Sequence, residues 1–367
     1  MDTAFYTLKV RQIVRETADA VTVSFDIPAD LSEKFRYTAG QYLTFRTQIN
    51  GEEVRRSYSL CTDPNTDSYP AVTVKQVDKG RMSTWFNTVL KEGDSIEVMP
   101  PMGKFTVSPE PGGNRSYVLF GGGSGITPLM GIAKTVLNGE PGSRIHLIYA
   151  NRNPDSVIFK KQWADLESQF GANRLKVLLS YDQAPFTWFG LKGLLTEEKV
   201  MGILSSKVGG DSINREYFIC GPAPMMDVVK NGLQKAGVES ARIHTEYFSA
   251  PVGNGEATTT AVSATETSEE SAAPFNGKAE LTVTVYGKTT SFTTDDKTSI
   301  LDAAIRNDLE PPYSCTVGVC TTCRAKVHKG KVEMKEREGL SDEEIEQGYV
   351  LTCQSYCRSA VVELSYE

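Results

Sequence analysis

Four cysteines near the C-terminus constrain this chain more than any other feature. Cys315, Cys320 and Cys323 read C-x4-C-x2-C, and Cys353 follows on a later segment. That spacing suits a [2Fe–2S] cluster, whose two irons need four thiolates converging from one crowded loop. Within Tyr313–Cys323, Gly318 lets the backbone curl without a Cβ clash, and the small Thr residues leave room for sulfide. Cys353 is expected to supply the fourth ligand from a strand over Tyr349–Cys353. A structural zinc site is the alternative. Such sites usually show two short Cys or His pairs. The single Cys353 lacks that look, although Cys357 lies on the same segment.

At 367 residues the chain is long enough for two or three domains, each with its own core. The start, Met1–Arg11, has no apolar run behind a basic stretch, so no signal peptide is expected. No run approaches the length of a membrane-crossing helix. Seven cysteines, four in a cluster pattern, point to a reducing, cytoplasmic setting rather than a disulfide scaffold. The net charge of −7 sits toward the C-terminus, where residues 279–367 carry fifteen Asp and Glu against ten Lys and Arg. No basic face for nucleic acid is expected. The acidic end is either a solvated surface or a docking face for a basic partner.

Residues 249–277 are dominated by Ala, Thr, Ser, Glu, Pro and Gly. Such a segment cannot bury enough apolar surface to offset its ordering entropy. It reads as a flexible linker with a span on the order of 30 Å. Before it, residues 1–107 are strand-rich: Tyr6–Val14, Val21–Ile27, Tyr42–Gln48, Ser57–Cys61 and Ala71–Val77, with a short helix over Ser83–Leu90. That pattern predicts an antiparallel β-barrel. Residues 108–248 alternate strand and helix: Tyr117–Gly121, Pro128–Leu137, Arg144–Ala150, Ser156–Gln169, Leu175–Ser180, Glu216–Cys220, Met225–Ala236. That alternation predicts an α/β doubly wound domain. Residues 278–367 open with strands Leu281–Tyr286 and Thr289–Thr293 and a helix Ser299–Asn307. The cysteine loop follows, then a short helix from Ser341 with Glu344 completing a capping box.

Four strings carry chemistry. Gly121-Gly122-Gly123-Ser124-Gly125-Ile126-Thr127-Pro128 ends a strand and opens a helix, so bare N–H groups and the helix dipole face an anion such as a pyrophosphate. Read alone, a tight strand–helix turn is the lesser alternative. Arg56-Ser57-Tyr58-Ser59 offers a phosphate clamp, an aromatic face and a hydroxyl, or simply a surface strand. Gly80-Arg81-Met82-Ser83-Thr84-Trp85 turns into a helix start, which is an anion site or ordinary capping by Ser83 or Thr84. Cys220-Gly221-Pro222-Ala223-Pro224-Met225 ends a strand at the edge where α/β sheets bind ligands. Cys220 is otherwise an inert buried thiol.

Taken in order, with Tyr149–Arg152 and His244–Phe248, these strings resemble the ferredoxin–NADP reductase superfamily with a C-terminal plant-type [2Fe–2S] ferredoxin. The resemblance spans the whole chain apart from the linker. Within it, the strings are similar to reductase components of multicomponent oxygenases, those of the phenylacetyl-CoA epoxidase type above all. It implies a multidomain fold: an antiparallel β-barrel FAD domain, an α/β doubly wound NAD(P) domain and an α+β, β-grasp-like ferredoxin domain. It implies FAD, NAD(P)H and one [2Fe–2S] cluster held by Cys315, Cys320, Cys323 and Cys353.

Roles follow from the same resemblance. Arg56 binds FAD phosphate, Tyr58 packs on the isoalloxazine and Ser59 bonds flavin N5. Gly80, Met82, Ser83 and Thr84 hold the FAD pyrophosphate. Gly121, Gly122, Gly123, Ser124, Gly125, Thr127 and Pro128 hold the nucleotide, with Arg152, Gly221, Pro222 and Met225 around it. Cys220 and Glu246 lie beside the nicotinamide and Phe248 near the flavin, so Ser59, Cys220 and Glu246 form the catalytic set. The implied acceptor is an oxygenase component, diiron or Rieske. One departure bears on the nucleotide. Ser180-Tyr181-Asp182 stands where NADP-specific relatives show Ser-Arg, with Arg152, Lys160 and Lys161 left to meet a 2′-phosphate. The reading leans to NADPH over NADH. A redox-sensing interaction module is the alternative of another class. The electron-transfer subunit of dihydroorotate dehydrogenase is a third, though its last ligand lies closer in sequence than Cys353 lies to Cys323.

Overall fold

Apolar–polar alternation builds the N-terminal part of the fold. Strand β1 (Tyr6–Thr17) turns Leu8 and Val10 inward, and β2 (Ala20–Asp26) does the same with Val21, Val23 and Phe25. With β3 (Tyr42–Ile49), β4 (Glu52–Ser59), β5 (Ala71–Lys75) and β6 (Ser95–Met102) they form an antiparallel sheet in the order β4–β3–β6–β1–β2–β5. An antiparallel bridge from Leu60 to Val72 joins the two ends, so the sheet closes as the sequence predicts. Helix α1 (Arg81–Thr88) lies between β5 and β6 and begins two residues earlier than expected, with Gly80 as its N-cap. Strand β6 escapes the sequence reading because it contains Pro100 and Pro101. The register of β3 against β6 shifts at that point, and a bulge is where prolines are tolerated.

The computed structural model describes residues 4–78, 80–209, 214–248, 260–263, 275–285, 287–309, 311, 313, 318, 323–337, 340 and 342–366. It divides into two compact units, Asp2–Phe248 and Ser249–Glu367.

After the barrel the first unit continues as a parallel sheet. Its elements are β7 (Ser116–Gly122), α2 (Ile126–Gly139), β8 (Arg144–Asn151), α3 (Lys160–Phe170), β9 (Leu175–Tyr181), β10 (Leu191–Lys192), α4 (Glu197–Ile203), β11 (Arg215–Gly221), α5 (Ala223–Lys235) and β12 (Ile243–Tyr247). The order β10–β9–β8–β7–β11–β12 reverses direction between β7 and β11, and ligands bind at such a switch point. β7 is buried along its whole length, as a strand covered on both faces must be. One apolar cluster joins Ala39, Cys61 and Phe105 of the N-terminal part to Leu129, Ile132 and Ala133 of α2. α3 starts later than the predicted Ser156 because Phe159 takes a left-handed φ of 61°, which separates a 3-10 turn at Pro154–Ser156 from the helix.

The second unit holds β13 (Thr260–Ser263), β14 (Lys278–Val285), β15 (Lys288–Asp295), α6 (Ile300–Arg306), β16 (Arg324–Lys329), β17 (Lys331–Met334), α7 (Asp342–Glu346), β18 (Tyr349–Leu351), β19 (Ser355–Cys357) and β20 (Val361–Tyr366). Its main sheet runs β15–β14–β20–β16–β18, with β14 and β20 parallel and the other pairs antiparallel. α6 buries Ile300, Leu301, Ala303 and Ala304 in the same cluster as Leu281 and Val283 of the sheet. β13, within the expected linker, pairs antiparallel with β17. The predicted strand Tyr349–Cys353 ends at Leu351, and Cys353 sits in a 3-10 turn, Thr352–Gln354. Ser341, the expected cap of α7, lies outside the described residues. No helix among the described residues is long and apolar enough to cross a membrane.

Candidate functional site

At the switch point, strand register lines up three of the predicted residues. Gly121 of β7 pairs with Cys220 of β11, which pairs with Glu246 of β12. From the end of β4, the Ser59 hydroxyl reaches the same place and donates to Glu246 Oε2 at 3.3 Å. Ser59 and Cys220 are buried and Glu246 is half-buried. Burial pushes the Glu246 carboxyl up to about 8, against the pull of the Ser59 hydrogen bond. Burial, with the Glu246 charge second, raises the Cys220 thiol well above its ordinary range. The site therefore holds a carboxyl whose ionisation burial disfavours, hydrogen-bonded to a hydroxyl, beside a thiol that burial keeps protonated.

The glycine string stands where the nucleotide reading needs it. Gly125 packs so closely on β11 that a Cβ would come within 2.1 Å of the Cys220 carbonyl oxygen. Gly123 has a φ of +52° and open space where its side chain would be, which leaves a bare backbone face. The Gly123 carbonyl accepts from the Tyr149 hydroxyl at 3.0 Å, and Thr127 Oγ1 donates to the Ser124 carbonyl at 3.0 Å. Tyr149 was not singled out as a site residue in the sequence, yet it pins the loop. Pro128 is buried in the first turn of α2. Pro222 caps α5 and accepts from the Met225 N–H at 2.9 Å, while Gly221 pairs with Tyr247. First-turn N–H groups of a helix have no intrahelical partners, so this cradle fits a pyrophosphate.

On the barrel side, Arg56 is exposed at β4, its Nη1 donating to the Arg55 carbonyl at 2.6 Å. The half-buried Tyr58 ring is held edge-on by Phe86 at 5.3 Å and tilted against Phe45 at 6.0 Å. Ser83 Oγ accepts from the Val77 N–H at 3.2 Å and donates to the Gly80 carbonyl at 3.3 Å, so this hydroxyl ties the turn together. Thr84 Oγ1 accepts from Gln76 Nε2 at 3.3 Å. The Met82 side chain is buried in the barrel core, so only its backbone faces a ligand. Phe248 is exposed just past β12. This open helix start with an exposed Arg fits the phosphates of a flavin nucleotide.

Arg152 and Asp182 sit past the ends of β8 and β9 and are tied by backbone bonds, Gln183 N–H to the Arg152 carbonyl at 2.8 Å and Asp182 N–H to the Asn151 carbonyl at 3.0 Å. Burial raises the Asp182 carboxyl, and Lys199 and Arg152 pull it back. Lys199, absent from the sequence-based set, thus joins this corner.

In the second unit, Cys315 and Cys320 lie outside the described residues. Cys323 and Cys353 are both buried. Thr352 joins their segments: its N–H and its hydroxyl both donate to the Cys323 carbonyl, at 3.1 and 3.0 Å, and Tyr366 donates to that hydroxyl at 2.8 Å. Gly318 has the predicted need for glycine, with a φ of +82° and only 2.7 Å from its absent Cβ to Glu336 Cβ. Cys357 lies on β19, where it pairs with Val332 of β17, and burial pushes its thiol up to about 12. Cys323 and Cys353, joined through Thr352, fit a cluster.

Comparison with known proteins bears on each part. Residues 7–107 match the oxidoreductase FAD-binding domain family, 119–231 the oxidoreductase NAD-binding domain family, and 283–358 the 2Fe-2S iron-sulfur cluster binding domain family. The chain is 35% identical to a component polypeptide of the 1,2-phenylacetyl-CoA epoxidase from Escherichia coli K12, over 100% of this chain and 98% of that one. It is 35% identical to the ferredoxin reductase component of 3-ketosteroid-9-alpha-monooxygenase from Rhodococcus rhodochrous, over 95% and 93% of the two chains. Among solved structures, phthalate dioxygenase reductase superposes with a TM-score of 0.61 at 24% identity, covering 99% of this chain and 98% of that one.

Proposed function

This chain belongs to the ferredoxin–NADP reductase superfamily, in the group that carries a C-terminal [2Fe–2S] ferredoxin domain, and we propose that it serves as the reductase of a multicomponent oxygenase. It is an NAD(P)H-dependent oxidoreductase with FAD and one [2Fe–2S] cluster, moving electrons from NAD(P)H through FAD to the cluster. When bound, FAD accepts two electrons together and releases them singly, and the cluster carries each onward.

The roles of individual residues form the finer part of the reading. Arg56 and the first turn of α1 bind the flavin phosphates. Tyr58, locked by Phe45 and Phe86, presents a preset aromatic face. Gly121–Thr127 and the start of α5 seat the nucleotide. Cys220 floors the switch point, Ser59 and Glu246 share a proton there, and Phe248 shields the edge. Cys315, Cys320, Cys323 and Cys353 hold the cluster. The contact between Ser59 and Glu246 carries the reading, because it joins the flavin strand to the nucleotide sheet at the one row where Gly121, Cys220 and Glu246 align.

The acceptor is an oxygenase component, and similarity to the epoxidase polypeptide favours one acting on an acyl-CoA such as phenylacetyl-CoA. Arg152, past the end of β8, is the cation we assign to a 2′-phosphate, and on it rests the preference for NADPH. We place the protein in the cytoplasm. Reconstitution tests the acceptor: purified reductase, NADPH and the phenylacetyl-CoA-oxidising oxygenase should consume nucleotide in proportion to epoxide formed. Fast cytochrome c reduction with no support of that oxygenase would redirect the search to another acceptor.

A further inference from the structure

Ser59 and the nucleotide loop come from different parts of the first unit, yet each lies a few residues from one polar junction. The chain leaving β4 after Ser59 passes directly under α2. At Gly131 the approach is so close that a Cβ would stand 3.0 Å from the Thr62 carbonyl oxygen and 3.2 Å from that of Leu60. One helical turn on, Thr135 Oγ1 donates to Asp63 Oδ1 at 3.0 Å, and Asn138 Nδ2 donates to Asp63 Oδ2 at 3.0 Å. Lys134 Nζ meets Asp67 at 2.9 Å. Positions 131, 134, 135 and 138 share one face of the helix. Asp63 is fully buried and also closes its own loop, accepting from the Asn65 N–H at 3.0 Å and Thr66 Oγ1 at 2.8 Å. Burial pushes its carboxyl up, and the bonds from Asn138, Asn65, Thr66 and Thr135 outweigh that and hold it below the ordinary carboxylate range. A buried charge is this well satisfied only where its donors are held in place.

We propose that Asp63 is a positioning residue for electron transfer from the nucleotide: it clasps the segment after Ser59 to α2, and so sets the spacing between the flavin strand and the nucleotide loop. The mechanical logic is short. α2 begins at the Gly123–Gly125 turn and runs rigidly to the clasp, and Asp63 lies four residues past Ser59. Motion at the clasp is therefore passed to both halves of the site. Reactions between two bound groups are steep in distance, and a misplacement near 1 Å costs about a hundredfold. The proposal rests on the site reading above, in which Ser59 faces the flavin.

The test uses full-length protein loaded with FAD and cluster. Asp63→Ala should slow the limiting rate of anaerobic flavin reduction at saturating NADPH by about ten- to a hundredfold. FAD content and the half-saturating nucleotide concentration should stay within about twofold of the parent, a split that general destabilisation does not produce. Amide hydrogen exchange, which needs no turnover, should rise in residues 60–67 and 121–131 and not in β1 or β2. If Asp63→Ala fails to retain FAD, Asn138→Ala and Thr135→Val each remove one arm of the clasp and should give smaller slowing of the same kind. An unchanged limiting rate, or a loss that only tracks lost FAD or weakened nucleotide binding, overturns the proposal. Ser59→Ala is measured in parallel. If it leaves the rate unchanged while Asp63→Ala slows it, the role given to the Ser59 hydroxyl fails and the clasp, which needs only that the end of β4 faces the flavin, stands; the opposite outcome overturns the clasp alone.

Discussion

Replacing Ser59 by Ala removes the hydroxyl that links β4 to Glu246, and the consequence follows from who holds the proton. Burial places the Glu246 carboxyl near 8. Below that pH it is protonated and can donate to Ser59, which frees the Ser59 proton to be given onward. Above it the carboxylate takes the Ser59 proton for itself, in the 3.3 Å bond of the structure. Flavin reduction by nucleotide should therefore slow as pH rises through about 8. With Glu246 protonated the Ser59 hydrogen bond has no charged partner, so it is worth about 0.5–1.5 kcal/mol, or roughly two- to tenfold in rate at 1.36 kcal/mol per decade. Ser59→Ala should lose that much in the limiting rate below pH 8 and should also lose the fall above it. FAD content should change little, because the proposed reading gives the phosphates to Arg56 and the α1 turn. The assay is anaerobic stopped-flow bleaching of the flavin by NADPH from pH 6.5 to 9.5, with FAD measured separately. A parent rate that is flat across that range, or a Ser59→Ala protein with the parent's rate and full FAD, would refute the shared-proton argument.

Glu246→Gln bears on the same proton through stability. The folded-state pKa lies above the unfolded carboxylate value, so the native state binds more protons and the parent loses stability as pH rises from about 4.5 to 8. The Gln protein lacks that loss, and its gain in Tm over the parent should be larger at pH 9 than at pH 5.5; an equal gain at both sinks the argument. Arg56→Ala should lose FAD first, with near-normal reduction in whatever fraction stays loaded, as read by flavin release on a desalting column. Cys353→Ala should abolish cluster absorbance and acid-labile sulfide while flavin reduction by nucleotide persists, whereas Cys357→Ala should keep its iron; the reverse pattern would exchange their roles. Asp182→Ala should raise the NADPH over NADH ratio of kcat/KM, because it removes a carboxylate beside Arg152, and an unchanged ratio would take Asp182 out of the nucleotide corner.

What could be read from the sequence, and what could not, divides by the range of the forces involved. The glycine string declares itself locally, since a few consecutive residues must meet a steric demand of their own backbone. Gly123 is such a case, with a φ of +52°. Helix α3 misleads because its pattern runs unbroken through Phe159, where the backbone takes a left-handed turn. Strand β6 was hidden by two prolines whose position only makes sense once β6 itself bulges there against β3.

The row of Gly121, Cys220 and Glu246 belongs to a different scale. Its register is set by pairing among β7, β11 and β12, which no local periodicity encodes. Resemblance could name Glu246, but only the fold shows its setting: β12 is the edge strand beside β11, and Ser59 from β4 meets its carboxylate. The Asp63 clasp is subtler still. Asp63 stands in Thr62-Asp63-Pro64-Asn65, where Asp followed by Pro and Asn is the ordinary chemistry of a turn. Nothing nearby says that both carboxylate oxygens will be claimed from a helix more than seventy residues away. Turn residues of this kind carry two messages, a local one about chain reversal and a distant one about alignment, and the second becomes visible only when burial forces each oxygen to find a donor.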